Sequence, residues 1–256
     1  MICVADSRYL PLKDSIATLV YCDPPWNMGM NEGKWNDRLS ETEYIKFLRN
    51  YLGEASRVMN YNSWLVIVLY NKIRFFHEYI LYNMPELEFV QELIWYYNFG
   101  KYTRKMFVPC HDNILVYRKG NPVFHWEEVA IESKRQQVKD PRADCRGRTP
   151  GSIIKVGRLT NTSYEKKFLC GDRRTSQPPA LIKLFLKAYT LPGQRVVDMF
   201  SGSGTVQKVC NELGRECMAF DICEHYCKEA MYRIDHGWKW LVCKNLNWQD
   251  FIKRRI

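Results

Sequence analysis

Two short runs of this chain hold residue types that can do chemistry together. The first is Asp23-Pro24-Pro25-Trp26: a carboxylate, a rigid carbonyl-rich turn and a flat aromatic. These parts suit the holding of a weakly nucleophilic amine. An exocyclic amine on a nucleobase gives its lone pair to the ring. Asp23 and the carbonyl of Pro24 offer acceptors for both amine hydrogens, which favours a tetrahedral nitrogen with its lone pair aimed at an electrophile. The two prolines keep that carbonyl fixed, so little reorganisation is needed during reaction. Trp26 offers a stacking face, worth about 1–3 kcal/mol for a base on an aromatic ring. The same tetrapeptide also fits a strand-ending turn with a capped Asp and a core Trp.

The second run is Asp198-Met199-Phe200-Ser201-Gly202-Ser203-Gly204-Thr205, with Asp221 seventeen positions after Gly204. Gly202 and Gly204 let a ligand approach the backbone closely. An acid at the tip of the next strand suits a carboxylate accepting both ribose hydroxyls. There is no third glycine and no following lysine, which argues against a dinucleotide fingerprint and against a phosphate-gripping P-loop. A Gly-x-Gly alone also fits a plain tight turn. The order strand, glycine turn, helix, strand, acid is that of a nucleotide-type cofactor pocket.

Positioning these residues is the work of the elements around them. Ile16 to Cys22 is an apolar run that reads as a buried parallel strand. Pro24 and Pro25 have no N–H for a sheet ladder, so the chain leaves the sheet at its carboxyl edge, where ligands bind in open α/β sheets. Asn27 to Leu39 is polar and contains Gly29 and Gly33, and is expected as a mobile loop over the crevice. Ser40-Glu41-Thr42-Glu43 is a capping box. The helix after it buries Tyr44, Phe47, Leu48, Tyr51, Leu52, Ala55 and Met59. Strands are expected at 64–70, 89–97 and 114–117, and a helix at 73–83. Pro178 and Pro179 suit a helical first turn leading into the apolar stretch 181–189. Strand 195–199, a helix ended by Gly214, strand 216–222, a helical stripe from Tyr226 to Ile234 and a last short strand at 240–243 complete the pattern. Asp6, ahead of the first strand, reaches a ligand or caps a turn.

Residues 121–176 break that regularity. They hold Pro122, Pro141, Pro150, Gly147, Gly151 and Gly157, and are expected as loops and short elements rather than a layer of the sheet. Between Ser133 and Arg174 there are twelve Lys or Arg against four Asp or Glu, which carries most of the chain's +10 net charge. A localised basic segment beside a crevice reads as a footprint for a phosphate backbone. The chain thus divides into a catalytic half at 1–120, an insertion at 121–176 and a cofactor-binding half at 177–256. No run of about 18 apolar residues exists, so no membrane span is expected. Met1 to Asp6 lacks the basic-then-apolar layout of a secretory signal. Ten cysteines without regular spacing suggest free thiols in a reducing cytoplasm. Cys217, Cys223 and Cys227 are the nearest approach to a zinc set, and buried thiols account for them better.

The chain resembles the amino-group DNA methyltransferases that use S-adenosylmethionine, and more narrowly their circularly permuted beta class, in which the catalytic motif precedes the cofactor motif. Asp23 to Trp26 matches the catalytic tetrapeptide, Asp198 to Thr205 the cofactor motif and Asp221 its ribose-binding acid. Asp6 matches an acid near the cofactor's adenine. Ser176-Gln177-Pro178-Pro179 resembles the segment that lines the methionine end. Trp35-Asn36-Asp37, Ile94 to Tyr97 and Asp140 to Pro150 resemble stretches of adenine-specific members. Three positions depart from the family. Trp26 stands where many DNA members have Tyr, Pro178 replaces a lysine, and Met199 replaces a common proline.

The resemblance implies an α/β, Rossmann-like methyltransferase fold: a mostly parallel twisted sheet with helices on both faces, circularly permuted, with a basic target-recognition insertion. It implies methyl transfer from S-adenosyl-L-methionine to adenine N6 in double-stranded DNA, with the base flipped out of the stack. Asp23 in first place is typical of adenine-N6 enzymes. The expected cofactor residues are Asp6, Gln177, Asp198, Phe200, Ser201, Gly202, Ser203, Gly204, Thr205 and Asp221. Tyr96 or Tyr97 would hold the base opposite Trp26. Asn27, Arg142, Arg146, Arg148 and Lys155 would meet DNA. No metal is expected, and the resemblance leaves room for a homodimer in the cytoplasm of a bacterium or a phage-infected host. An RNA-adenosine or cytosine-N4 methyltransferase, a non-catalytic nucleic-acid-binding relative and a nicotinamide oxidoreductase are the alternatives. The last has no need of an Asp-Pro-Pro-aromatic turn.

Overall fold

The computed structural model describes residues 1–30, 35–97, 103–159 and 176–236. Its strands are β1 (Ile2–Val4), β2 (Ala17–Cys22), β3 (Met59–Leu69), β4 (Glu88–Tyr96), β5 (His111–Lys119), β6 (Ile153–Lys155), β7 (Arg195–Asp198) and β8 (Glu216–Asp221). They form one eight-stranded sheet in the order β1-β8-β7-β2-β3-β5-β4-β6. All neighbours are parallel except at β5, which runs antiparallel to both β3 and β4. The expected Rossmann-like sheet is therefore present.

Helices cover both faces. On one lie α1 (Glu41–Val58) and α2 (Arg74–Tyr82), whose apolar stripes meet Val20, Cys22, Leu65 and Ile67. On the other lie α4 (Pro179–Tyr189), α5 (Thr205–Leu213) and α6 (Glu224–His236), packed on Leu19, Tyr21, Val66 and Val196. The alternation along β2 sends Tyr21 to one face and Cys22 to the other. A one-turn helix, α3 (Lys134–Gln137), stands in the insertion. Among the described residues, no helix is long and apolar enough to cross a membrane.

The cap signals fold as written. Ser40 accepts the Glu43 N–H while the Glu43 carboxylate accepts the Ser40 N–H. Gly214 ends α5 at φ 70°, in the left-handed region.

Two expectations need correction. The insertion does enter the sheet, because β6 pairs in parallel with the outer side of β4. Three residues with one buried side chain, Ile154, are too few to show a strand period. β1 was likewise not read from sequence, although it pairs with β8 at the opposite edge. The strand expected at 240–243 lies outside the described residues.

Beneath the α1 face, His77 is fully buried. Its Nδ1 lies 3.0 Å from the Ile73 carbonyl and its Nε2 has no partner among the described residues. Burial penalises the imidazolium and pulls its pKa down to about 4, against the opposing pull of the Ile73 carbonyl. The unfolded chain takes up this proton near pH 6.5, the folded one near 4. His77's stabilising contribution is therefore complete above pH 6.5 and is lost as pH falls towards 4, a change of roughly 3 kcal/mol. Urea unfolding midpoints should fall across that window in the natural protein, and His77→Leu should flatten that part of the acid limb.

Candidate active site

The sheet reverses its direction of winding between β2 and β7. From β2 the chain goes on to β3 on one side; from β7 it goes on to β8 on the other. Ligands of open α/β sheets bind outside the carboxyl ends at such a point. Asp23 follows β2 and Phe200 to Gly204 follow β7, so the two chemical runs meet there. A cavity of about 670 Å³ opens between them. That volume lies within the range of roughly 300–1,000 Å³ typical of small-molecule sites.

Its walls hold Asp6, Tyr21, Asp23, Pro24, Pro25, Trp26, Gln177, Asp198, Phe200, Ser201, Gly202, Ser203, Thr205 and Asp221. Nearly every residue assigned from sequence to amine or cofactor is thus in one space. Gly204 is the exception. It stands behind the wall as the N-cap of α5, at φ 76°, and a Cβ there would meet the Ala230 Cβ at 2.8 Å. Its role is close packing of α6. Gly202, at φ 47°, has open space where a Cβ would project, so a ligand can lie against its backbone.

Asp221 accepts from the N–H groups of Gly202 at 2.9 Å and Cys223 at 2.8 Å, tying the glycine turn to the end of β8. Asp198 is fully buried, and its Oδ2 has no hydrogen-bond partner among the described residues. Burial pushes its pKa up to about 7; the Phe200 N–H opposes this and the Asp221 charge adds to it. Asp6 is paired with Arg8 at 2.6 Å. Partial burial would raise its pKa, but the hydrogen bonds and charge of Arg8 outweigh that and hold it below the ordinary value.

The carboxyl end of β4 illustrates how strand parity selects a residue. Tyr97 is buried and faces the cavity, whereas Tyr96 is more exposed and does not line it. The Tyr97 hydroxyl donates to Asp112 at 3.1 Å, and Asp112 also binds Arg158. The Arg158 guanidinium lies 4.0 Å from the Tyr97 ring centroid. Burial pushes the Asp112 carboxyl above its ordinary value, and Arg158 offsets this only in part. Sequence reading missed Arg158, one of twelve basic residues in its stretch. It also missed Tyr70, which follows β3 and stacks on Trp26 at 5.5 Å with planes 18° apart. One face of Trp26 is therefore already covered.

The Asn27 side chain is engaged within the protein. At φ 53° the residue turns it onto the backbone of Leu39, accepting at 2.7 Å and donating at 3.0 Å. Arg142 and Arg146 are exposed but paired, to Asp140 and to Asp144 with Glu127. Arg148 and Lys155 are exposed and make no ion pair among the described residues. Cys217, Cys223 and Cys227 are buried, and no group of His, Cys, Asp and Glu among the described residues is arranged to hold a metal.

The loop after Trp26 was expected to be mobile. Positions 31–34 lie outside the described residues, but both flanks are anchored by the buried Asp37. Its carboxylate accepts from the N–H groups of Asn27 at 2.7 Å, Met28 at 2.9 Å and Met30 at 2.9 Å. Tyr44 of α1 donates to the Pro25 carbonyl at 3.0 Å. The tetrapeptide is thereby held from behind. Asp37→Ala leaves three N–H groups without their acceptor and should lower stability by roughly 2–4 kcal/mol. An unchanged urea midpoint would remove Asp37 as the anchor.

Comparison with known proteins accords with this geometry. The DNA methylase family model N6_N4_Mtase matches residues 17–232. Over 224 residues the chain is 27% identical to the type II methyltransferase M.HpaI of Haemophilus parainfluenzae, covering 88% of this chain and 70% of that one. It is 23% identical to the DNA adenine methyltransferase YhdJ of Escherichia coli (strain K12), covering 91% and 80%. The fold is similar to that of the cytosine-N4-specific PvuII DNA methyltransferase, with a TM-score of 0.71, 16% identity, and 98% and 89% of the two chains covered. It is also similar to that of M1.HpyAVI in complex with SAM, with a TM-score of 0.61, 18% identity, and 91% and 98% covered.

Proposed function

The chain belongs to the N6/N4 DNA methylase family, and from that premise we propose that it transfers a methyl group from S-adenosylmethionine to the N6 amine of adenine in duplex DNA. One observation carries the reading. Asp23-Pro24-Pro25-Trp26 opens into the same cavity as Gly202 and Asp221, so an amine-holding turn faces a nucleotide-type pocket. The first residue of the tetrapeptide is Asp, as is typical of adenine-N6 members, and the similar YhdJ is an adenine enzyme.

The residues present fit S-adenosylmethionine. Asp221 offers carboxylate lone pairs for the ribose hydroxyls, and Gly202 leaves its backbone bare. Gln177 Nε2, Asp198 Oδ2 and Ser201 Oγ are buried polar atoms without a hydrogen-bond partner among the described residues, as a polar ligand would require. When bound, the cofactor supplies a methyl group already activated on a sulfonium.

The chain's own part is positioning. Asp23 and the Pro24 carbonyl accept the two amine hydrogens, and the Asp23 charge stabilises the positive nitrogen as it forms. Trp26, backed by Tyr70, gives the flipped base a rigid stacking face. Tyr97, held by Asp112 and Arg158, bounds the other side. Arg148 and Lys155 meet phosphates.

Two outcomes test this. Asp23→Ala should reduce turnover by at least a thousandfold with cofactor binding kept, and Asp23→Asn should be almost as poor, since an amide has one acceptor oxygen and no charge. Chromatography of digested, methylated duplex should show N6-methyladenine; a product of N4-methylcytosine alone would sink the base assignment. Separately, duplex affinity should fall steeply with salt, at about 0.9 in log–log slope per phosphate met. Reversing charge at Arg148 and Lys155 together should lower that slope by about 1.8 and leave cofactor affinity unchanged. A salt-independent affinity would remove the insertion from the interface.

A further inference from the structure

We infer that Tyr21 is a positioning residue for the cofactor: its buried hydroxyl fixes the Gln177 side chain so that the amide NH2 faces the cavity and binds the carboxylate of the methionine end. This rests on the cofactor reading above and adds to it a residue that does not belong to either chemical run.

Tyr21 is almost completely buried, yet it carries a hydroxyl into the core of the sheet. It pairs with Asp198 across β2 and β7, so it lies at the reversal point of the sheet. Its ring packs near Phe185 of α4, at 6.4 Å between centroids. The hydroxyl donates to Gln177 Oε1, just ahead of α4. Burial, with the charges of Asp23 and Asp198 nearby, holds this phenol firmly in its protonated form, so its single hydrogen is there to give.

A glutamine amide is two-faced, and something must choose which end meets a ligand. Here Oε1 is engaged by Tyr21. Nε2 is left buried without a partner among the described residues, in a side chain whose residue lines the cavity. An orphaned buried donor is costly, and a ligand acceptor recovers that cost. Asp198 Oδ2 is the complementary case in the same cavity, a buried acceptor without a partner. A donor and a carboxylate left open together match a zwitterion, one group for its carboxylate and one for its ammonium. Of the parts of S-adenosylmethionine, only the amino-acid end is a zwitterion; adenine and ribose are not.

The test uses two ligands that differ only in that carboxylate: S-adenosylmethionine and its decarboxylated form, each titrated into the full-length protein by calorimetry. Tyr21→Phe should weaken S-adenosylmethionine about tenfold and change the decarboxylated ligand by less than about twofold. Gln177→Glu keeps an acceptor for Tyr21 but sets a carboxylate against a carboxylate. It should lose S-adenosylmethionine by more than Tyr21→Phe does and keep the decarboxylated ligand, which also serves if Tyr21→Phe does not fold. Equal losses for both ligands, or no loss for either, would overturn the inference and leave the cofactor reading standing. Natural protein that binds neither ligand would overturn both.

Discussion

The structure depends on the parallel pairing of β2 with β7. Tyr21 lies opposite Asp198 in that pair, and each strand ends within a residue or two of this point. Because the pair is parallel, both chains leave the sheet at the same edge. Because the chain winds away from it in opposite directions, no crossover helix fills the space above. The crevice is thus a consequence of topology, present before any side chain is chosen. Side chains then decide what it holds, with the carboxylate of Asp23 on one rim and the bare backbone of Gly202 on the other.

Within the crevice, rigidity is supplied by neighbours of the groups that face it, some behind the wall and some on it. Pro24 and Pro25 cannot pair with a strand, so their carbonyls must find other partners, and Tyr44 takes that of Pro25. Asp37 gathers three N–H groups of the loop that follows. Tyr70 covers one face of Trp26, and Arg158 covers one face of Tyr97. Trp26 and Tyr97 therefore each have one ring face held by a neighbour. Catalysis by positioning needs this, since a misplacement of about 1 Å at the reacting atoms can cost a hundredfold in rate.

Most of this was legible in the sequence where one residue type answers one physical demand. Two prolines after an apolar run mark a strand end at a definite edge. Ser40 with Glu43 marks a helix start, and Gly214 a helix stop. What escaped was whatever depends on register between distant strands. Tyr96 and Tyr97 are indistinguishable until β4 is aligned on β5, after which parity sends Tyr97 to the cavity. The inward hydrogen bonding of Asn27 escaped as well. Its partner, the backbone of Leu39, is invisible in residue types. β1 and β6 are three residues each, shorter than any period that could announce them. Arg158 was one cation in a crowd, and only the burial of Asp112 singles it out.

The basic insertion shows how local sequence can prepare a surface. Asp140-Pro-Arg142 and Asp144-Cys-Arg146 fold in the same way. In each, the carboxylate accepts the arginine's backbone N–H at 2.9 Å and also its guanidinium. Asp6-Ser-Arg8 at the crevice repeats the arrangement. Exposed pairs of this kind add little to stability. Their effect is on the arginine, whose long side chain is already held in one direction. Arg148 and Lys155 carry no such partner among the described residues, so their charges are left uncompensated by a neighbouring carboxylate. The paired arginines, by contrast, supply a fixed geometry. The +10 net charge measures the first contribution and is blind to the second.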